Sequence, residues 1–423
     1  MSNNKRYARR LLAEGISVSN DTRVTQRNNI DLIIGSSGSG KSGGYVIPNI
    51  LLLNESALIT DPKGCLYDQT ALLLRKKGFE VYKIDMVDPD RSSAYNPLAY
   101  IRYDERRGGY REQDIIRIAS MLISDKYSKD PFWERSAQTF LCCLIAYVLE
   151  AFEPEERNMG TVADVFRMCE IRDDEIPFLA QHCLLHPDGY AAKKYQMIKQ
   201  EFRADKTWSC IQAFVTTALD KFDFQAMRNM MMQKPDFHFA DLGRRKMVVF
   251  VNTSDTDDSL DDITSLLYTQ ALHALCEEAD KQPDDRLRVP VRLILDDFAA
   301  SAAYIPKFDQ LVSVLRSRDI SVSCILQSLS QLKSAYGADR CNTILNNSDT
   351  ILFLGCTDME TVHYIAARVG TTVEKVMTLE SDKAFLLLRG EKGRKVTKVR
   401  PYSLTPDKLR QYLTDPEEEQ STF

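Results

Sequence analysis

Eight consecutive residues of this chain have the types and spacing to cradle a phosphate. Gly35-Ser36-Ser37-Gly38-Ser39-Gly40-Lys41-Ser42 fits the G-x-x-x-x-G-K-[ST] pattern in full. The glycines let the backbone curl so that its N–H groups point inward at phosphate oxygens. The helix that follows adds partial positive charge at its N-terminus. The expected phosphate-contacting set is Gly35, Ser36, Gly38, Ser39, Gly40, Lys41, Ser42 and Gly43. Lys41 is expected to reach the β- and γ-phosphates, and the Ser42 hydroxyl to ligate Mg²⁺. The chemistry is that of a nucleoside triphosphate bound with Mg²⁺, not of a flexible Gly/Ser linker.

Such a loop needs a carboxylate on the metal side. Val291-Arg292-Leu293-Ile294-Leu295-Asp296-Asp297 is an apolar run ending in two acids. As a strand it would bring both carboxylates to the sheet edge where ligands of open α/β folds bind. Asp296 is assigned to the metal and Asp297 to the attacking water. Ile320–Leu326 is a further apolar run, ending in Gln327, whose amide could sense the γ-phosphate or position water. Arg316 and Arg318 precede it. An arginine projecting from a surface could stabilise transition-state charge at a neighbour's γ-phosphate.

The elements that must hold these groups are legible as periodicity. Ile30–Ile34, Ala57–Thr60 and Glu80–Ile84 are short apolar runs alternating with helical patterns, and Pro48 is expected to kink or end the helix that runs through Leu53. The run pattern returns with Met247–Val251, Val291–Leu295, Ile320–Leu326, Thr350–Leu354 and Ala384–Leu388. Strands alternating with helices predict an α/β fold with a mainly parallel central sheet. Between residues 112 and 234 only helical periodicity is found, in Asp114–Ser124, Phe132–Glu150, Val162–Cys169, Tyr190–Arg203 and Trp208–Phe222. The expected organisation is a nucleotide-binding domain from residues 1–111 and 235–423, with an all-α insertion over residues 112–234. Residues 1–28 read as a flexible or edge-lying start, and the acidic end beyond Pro401 as a disordered tail.

With 423 residues, 44% hydrophobic and 27% charged, the chain has an ordinary globular balance. A net charge of −5 gives no global nucleic-acid signature. Only local basic runs remain for that purpose, such as those around Arg9-Arg10, Arg102–Arg111, Arg244-Arg245-Lys246 and Arg389–Arg400. Ten scattered cysteines without a C-x-x-C pair argue against zinc and for a reducing, cytosolic compartment. His182 and His186, four residues apart, read as a helix pair and not a metal site. The longest apolar stretches, such as Phe140–Leu149, fall short of the ~20 residues of a membrane helix, so the chain as given is expected to be soluble.

Taken in order, the motifs resemble the type IV coupling proteins, the TraG/TraD-like ATPases of conjugation and type IV secretion. The segments are the phosphate loop followed by Val46-Ile47-Pro48-Asn49-Ile50-Leu51; Asp61-Pro62-Lys63-Gly64; Tyr95-Asn96-Pro97-Leu98; Asp130-Pro131-Phe132-Trp133; Leu295-Asp296-Asp297-Phe298; and Leu326-Gln327-Ser328-Leu329-Ser330-Gln331-Leu332. The resemblance implies a RecA-like P-loop motor domain with an inserted all-α domain. It also implies a hexameric ring that moves single-stranded DNA, or a relaxase–DNA complex, towards a type IV secretion channel. Of the two arginines, Arg316 looks most similar to the family's finger in trans. The family places Asp-Glu where this chain has Asp296-Asp297, which weakens Asp297 as a base. Its members begin with membrane helices that this chain does not show, so attachment at the cytoplasmic face of the cell membrane is expected through a segment outside the chain or a partner protein. Two other readings are an FtsK/HerA-like motor on duplex DNA and a nucleotide-gated platform that recruits protein cargo with little turnover.

Overall fold

The computed structural model describes residues 8–125, 128–299 and 304–400. Its strands are β1 (Arg9–Ala13), β2 (Ile16–Ser19), β3 (Ile30–Gly35), β4 (Ser56–Asp61), β5 (Glu80–Asp85), β6 (Tyr103–Asp104), β7 (Gly109–Tyr110), β8 (Met247–Asn252), β9 (Val291–Leu295), β10 (Ile320–Leu326), β11 (Thr350–Gly355), β12 (Lys383–Leu388) and β13 (Arg394–Thr397). Two compact units emerge. The first takes the described residues of Met1–Ile84, Phe237–Asp261 and Ala271–Phe423, and the second takes those of Asp85–Asp236 and Asp262–Gln270.

The first unit is built on a nine-stranded sheet in the order β13-β12-β11-β3-β10-β9-β4-β8-β5. Neighbours from β11 to β8 pair in parallel. β12 and β13 close one edge antiparallel. Every residue of β3, β4, β8, β9 and β10 is buried. A parallel strand is covered on both faces, so it reads as an unbroken apolar run and not as an alternation. That is why these strands were legible in the sequence.

The start of the chain departs from expectation within its described part. It is not loose: β1 and β2 form an antiparallel hairpin, and Arg10 is wholly buried. Arg10 Nε bonds Asp31 Oδ1 at 3.0 Å, and its Nη1 bonds Asn20 and Asn29. An arginine can be buried when its fork is met by carboxylate and amide oxygens. The acidic tail lies outside the described residues.

Pro48, expected to kink the helix or end it early, sits where the winding changes, and the helix runs on only to Leu51. Pro48 has no N–H to send to the carbonyl four residues back. The turn before it, Ser42–Val46, is wound wide as a π-helix, with Ile47 N–H reaching Ser42 O, and an α-helix follows over Ile47–Leu51. π-turns of this kind cluster at functional sites.

The second unit carries helices Glu112–Leu122, Phe132–Ala151, Met159–Arg167, Pro177–Leu185, Tyr190–Ile198, Asp205–Asp223 and Gln225–Met232, with the short β6–β7 ribbon. Phe132–Ala151 is its central helix, with Phe140, Leu141, Leu144 and Ile145 fully buried. Within it His182 Nε2 lies 2.8 Å from Glu150 Oε2, and its ring stacks near that of His186. That carboxylate holds His182, and no cluster able to hold a metal through histidine, cysteine or acids occurs among the described residues.

Candidate functional site

Parallel strands share a polarity, so β3, β10, β9, β4 and β8 all deliver their carboxyl ends to one edge of the sheet. A cavity of about 870 Å³ opens there. It is lined by Gly38, Gly40, Lys41, Ser42 and Gly43 after β3, by Asp296 and Asp297 after β9, and by Gln327 after β10. Three stretches separated by up to about 290 residues thus meet as the strand register dictates. Gly35, Ser36 and Ser39 form the underside of the loop: Ser36 N–H bonds Gly355 O at 2.9 Å and Ser39 N–H bonds Ser36 O at 3.1 Å.

The loop's shape depends on its glycines. Gly38 and Gly40 have φ of +77° and +93°, which residues with a Cβ rarely adopt. A Cβ on Gly35 would come within 2.3 Å of Ser39 Oγ. That hydroxyl is buried and has no hydrogen-bond partner among the described residues. The Lys41 ammonium donates to Gly35 O at 2.7 Å and Ser36 O at 3.2 Å. Burial lowers its pKa, while Asp297 and Asp296 oppose that shift.

Ser42 Oγ lies 3.4 Å from Asp296 Oδ2. Burial, and then the neighbouring charge of Asp297, push the Asp296 carboxyl up to about 6; the Asp297 N–H, Lys41 and Ser42 hold it back. A carboxylate so disfavoured as a lone anion gains from a cation. Asp297 sits in the left-handed region at φ +52°, in the turn that leaves β9. A hydroxyl facing one carboxylate, with a second beside it, is a hard-oxygen set. It fits Mg²⁺, which takes one or two carboxylates and fills its shell with water and phosphate oxygens.

Arg316 is placed elsewhere. It lies in a 3₁₀ turn, Arg316–Arg318, at the amino end of β10, whereas the cavity lies at the carboxyl end. A strand of seven residues spans roughly 20 Å at ~3.3 Å per residue, so Arg316 does not reach this cavity from its own chain.

Several neighbours of the site were not singled out from sequence. Asp255, Asp257, Asp258 and Asp261, after β8, line the cavity's far wall. Lys398 donates to Ser39 O at 2.9 Å and Leu354 O at 2.7 Å, bracing the loop from β13. In the sequence it was one lysine in a basic run. Asp61 and Lys63, by contrast, stand in a segment the sequence did single out, Asp61-Pro62-Lys63-Gly64, and both line the cavity. The Asp61 carboxylate accepts from Leu66 N–H and Tyr67 N–H at 3.1 and 2.8 Å, capping helix Cys65–Lys76. Part of the basic runs is paired with acids: Arg244 with Asp241 and Glu278, Arg245 with Glu80, Arg102 with Asp114, Arg389 with Asp349.

A model of the family described as Type IV secretory system Conjugative DNA transfer matches residues 9–418. The chain belongs to that family. Among curated proteins it is 22% identical over 409 residues to Protein VirD4 of Rhizobium rhizogenes, covering 88% of this chain and 58% of the relative. It is 24% identical over 392 residues to Conjugal transfer protein TraG of Escherichia coli, covering 87% and 59%. The chain therefore spans under two-thirds of the length of these family members. Among solved structures, the bacterial conjugative coupling protein TrwBdeltaN70 matches with a TM-score of 0.64 at 14% identity, over 92% of this chain and 89% of that one. Plasmid coupling protein TrwB in complex with ADP and Mg²⁺ matches at 0.62 and 15%, over 88% and 85%. VirB4 of Thermoanaerobacter pseudethanolicus matches at 0.56 and 13%, over 90% and 91%. These likenesses establish the RecA-like P-loop fold.

Proposed function

We propose that this chain is the ATP-driven motor portion of a conjugative coupling protein, which recruits DNA or a relaxase–DNA complex to a type IV secretion channel. The observation that carries it is the meeting of Lys41, Ser42, Asp296 and Gln327 in one cavity at the carboxyl edge of the sheet. ATP with Mg²⁺ supplies, when bound, a phosphoanhydride whose charge the metal offsets. Backbone N–H groups of Gly38–Ser42 receive the phosphates, and Lys41 neutralises their outer oxygens. Ser42 and Asp296 hold the metal. Asp297 orients the attacking water, and Gln327 reports on the γ-phosphate. Arg316 serves a neighbouring copy, since it stands at the wrong sheet edge to serve its own. That arrangement asks for a ring, and we take it to be a hexamer. The helical stretch 112–234 is read as an inserted domain that faces cargo, and the working location as the cytoplasmic face of the cell membrane.

The test is ATPase rate against protein concentration, with and without single-stranded DNA. A rate rising more steeply than linearly, and stimulated by single strands, is the expected outcome. Unchanged hydrolysis in Lys41→Ala would remove the site assignment. Stronger stimulation by duplex would turn the reading towards a duplex motor. One observation favours a second reading: the water-orienting position holds Asp297, a short acid fixed in the left-handed region. Tight ATP binding with negligible turnover, DNA or not, would identify a recruitment platform gated by nucleotide.

A further inference from the structure

Beneath the cavity lies a buried polar layer that the nucleotide chemistry itself does not use. Asp31 lies four residues before Gly35 on β3, Arg292 four before Asp296 beyond β9, and Ser323 four before Gln327 beyond β10. Side chains alternate along a strand, and the register sets Ser323 beside Asp31 and Arg292 beside Ser321, so the three polar residues share one sheet face. The three meet at one hydroxyl. Tyr45 Oη donates to Asp31 Oδ2 at 2.8 Å, lies 3.0 Å from Ser323 Oγ, and accepts from Arg292 Nη2 at 2.8 Å. Arg292 also reaches Ser323 Oγ at 2.7 Å and Asp31 Oδ2 at 3.4 Å. Arg292 is 2% exposed, and Tyr45, Asp31 and Ser323 are fully buried.

Tyr45 stands on the wide turn Ser42–Val46, three residues after Ser42. Hydrogen bonds between charged and neutral partners in a dry interior are short-ranged and directional, and a network in which each member is met is stiff. Directional bonds to three strands add a constraint on the helix that apolar contacts, which lack direction, do not supply.

We infer that Tyr45 and Arg292 are positioning residues that pin the phosphate-loop helix to the three strands carrying Gly35, Asp296 and Gln327, and so set the Ser42–Asp296 separation at which Mg²⁺ is held. This rests on the reading of the cavity as an Mg²⁺–ATP site. Packing alone does not call for Tyr45, Arg292 or Ser323, whose volumes a Phe, a Met and an Ala would fill; Asp31 serves Arg10 as well.

The test uses the full chain and three variants, Tyr45→Phe, Ser323→Ala and Arg292→Lys. Each is measured for ATP affinity in EDTA, for the Mg²⁺ concentration giving half of the Mg²⁺-dependent gain in ATP binding, and for melting temperature. Tyr45→Phe is expected to leave ATP affinity in EDTA within about twofold and to raise the Mg²⁺ requirement about tenfold, because ångström-scale displacement within a reacting constellation costs up to about a hundredfold. Arg292→Lys keeps the cation without the fork and is expected to shift the same way. A variant that melts earlier yet keeps the parent's Mg²⁺ requirement overturns the inference and leaves the layer purely structural. If Tyr45→Phe does not fold, Ser323→Ala decides by the same two outcomes. Should the parent chain show no Mg²⁺-dependent ATP binding at all, the cavity's assignment falls first and the inference with it.

Discussion

Asp296 carries the most testable residue-scale chemistry. Its folded pKa of about 6 stands above its usual 3.8. The folded chain therefore takes up a proton between those values that the unfolded chain does not. Stability declines as pH rises through that window, and above about pH 6 the full cost of a buried carboxylate is present. Asp296→Asn removes the charge at near-constant volume. It is expected to raise stability at pH 7.5 by on the order of 3 kcal/mol, at ~1.4 kcal/mol per pKa unit, and to leave it nearly unchanged at pH 4. Denaturant melts at the two pH values read this directly. The same variant should abolish Mg²⁺-dependent ATP turnover. In the parent chain, Mg²⁺-dependent ATP binding should fall as pH drops through 6, since a protonated carboxyl is a poor metal ligand; a flat profile would mean Asp296 does not hold the metal. Lys41→Ala is expected to weaken ATP binding at least tenfold, the scale of one lost ion pair to phosphate.

At the scale of elements, legibility followed burial. Strands covered on both faces are continuous apolar runs, and each was found to within two residues. Helices with a clean stripe, such as Phe132–Ala151, were found too. Pro177–Leu185 was missed because it is apolar all round, with Leu184 83% and Leu185 68% exposed. Gln225–Met232 was missed because three consecutive methionines blur a short stripe. The hairpin β1–β2 was missed for a different reason. Its Arg and Asn residues look solvated in a linear reading, and only the fold supplies the Asp31, Asn20 and Asn29 partners that let Arg10 be buried. Likewise Asp31 and Arg292 looked like blemishes in apolar runs. A lone charge inside a strand otherwise buried was the available signal for the polar layer. The hairpin's attachment is open to test through Asn49, whose side chain bonds both Leu11 N and Leu11 O at 2.9 Å and donates to Tyr45 O at 2.8 Å. Asn49→Ala strands these groups in the interior and is expected to cost about 2–4 kcal/mol, seen as a lower urea midpoint with unchanged slope.

At the scale of the whole molecule, the P-loop, Asp296, Asp297 and Gln327 were assembled correctly as neighbours from spacing and strand logic alone. The acids Asp255–Asp261 and the brace from Lys398 were not, because their nearness follows from strand order, which one sequence does not reveal. The basic runs that could have argued for nucleic acid are in part paired with acids of the same chain. Binding of DNA by an isolated chain should accordingly be weak and shed few counterions, with a shallow dependence on salt. Assembly should steepen it by lining up what single copies present singly. Titrating salt in a DNA-binding assay at low and high protein concentration checks this. A steep slope already present in the dilute chain would place the DNA contacts on one copy.

The wide turn at Ser42–Val46 acts as a vernier on the phosphate loop. An α-helix advances by about 100° per residue, so the bearing of a side chain at its start fixes the bearing of every later one. Here two bearings are demanded at once: Ser42 towards the cavity, and Tyr45 towards the sheet. Regular winding offers one phase. A single slackened turn offers another, and it releases a carbonyl constraint just where Pro48 has no hydrogen to give. Proline, which the sequence marks as a kink or an end of the element, is better seen as what lets one short helix obey two masters.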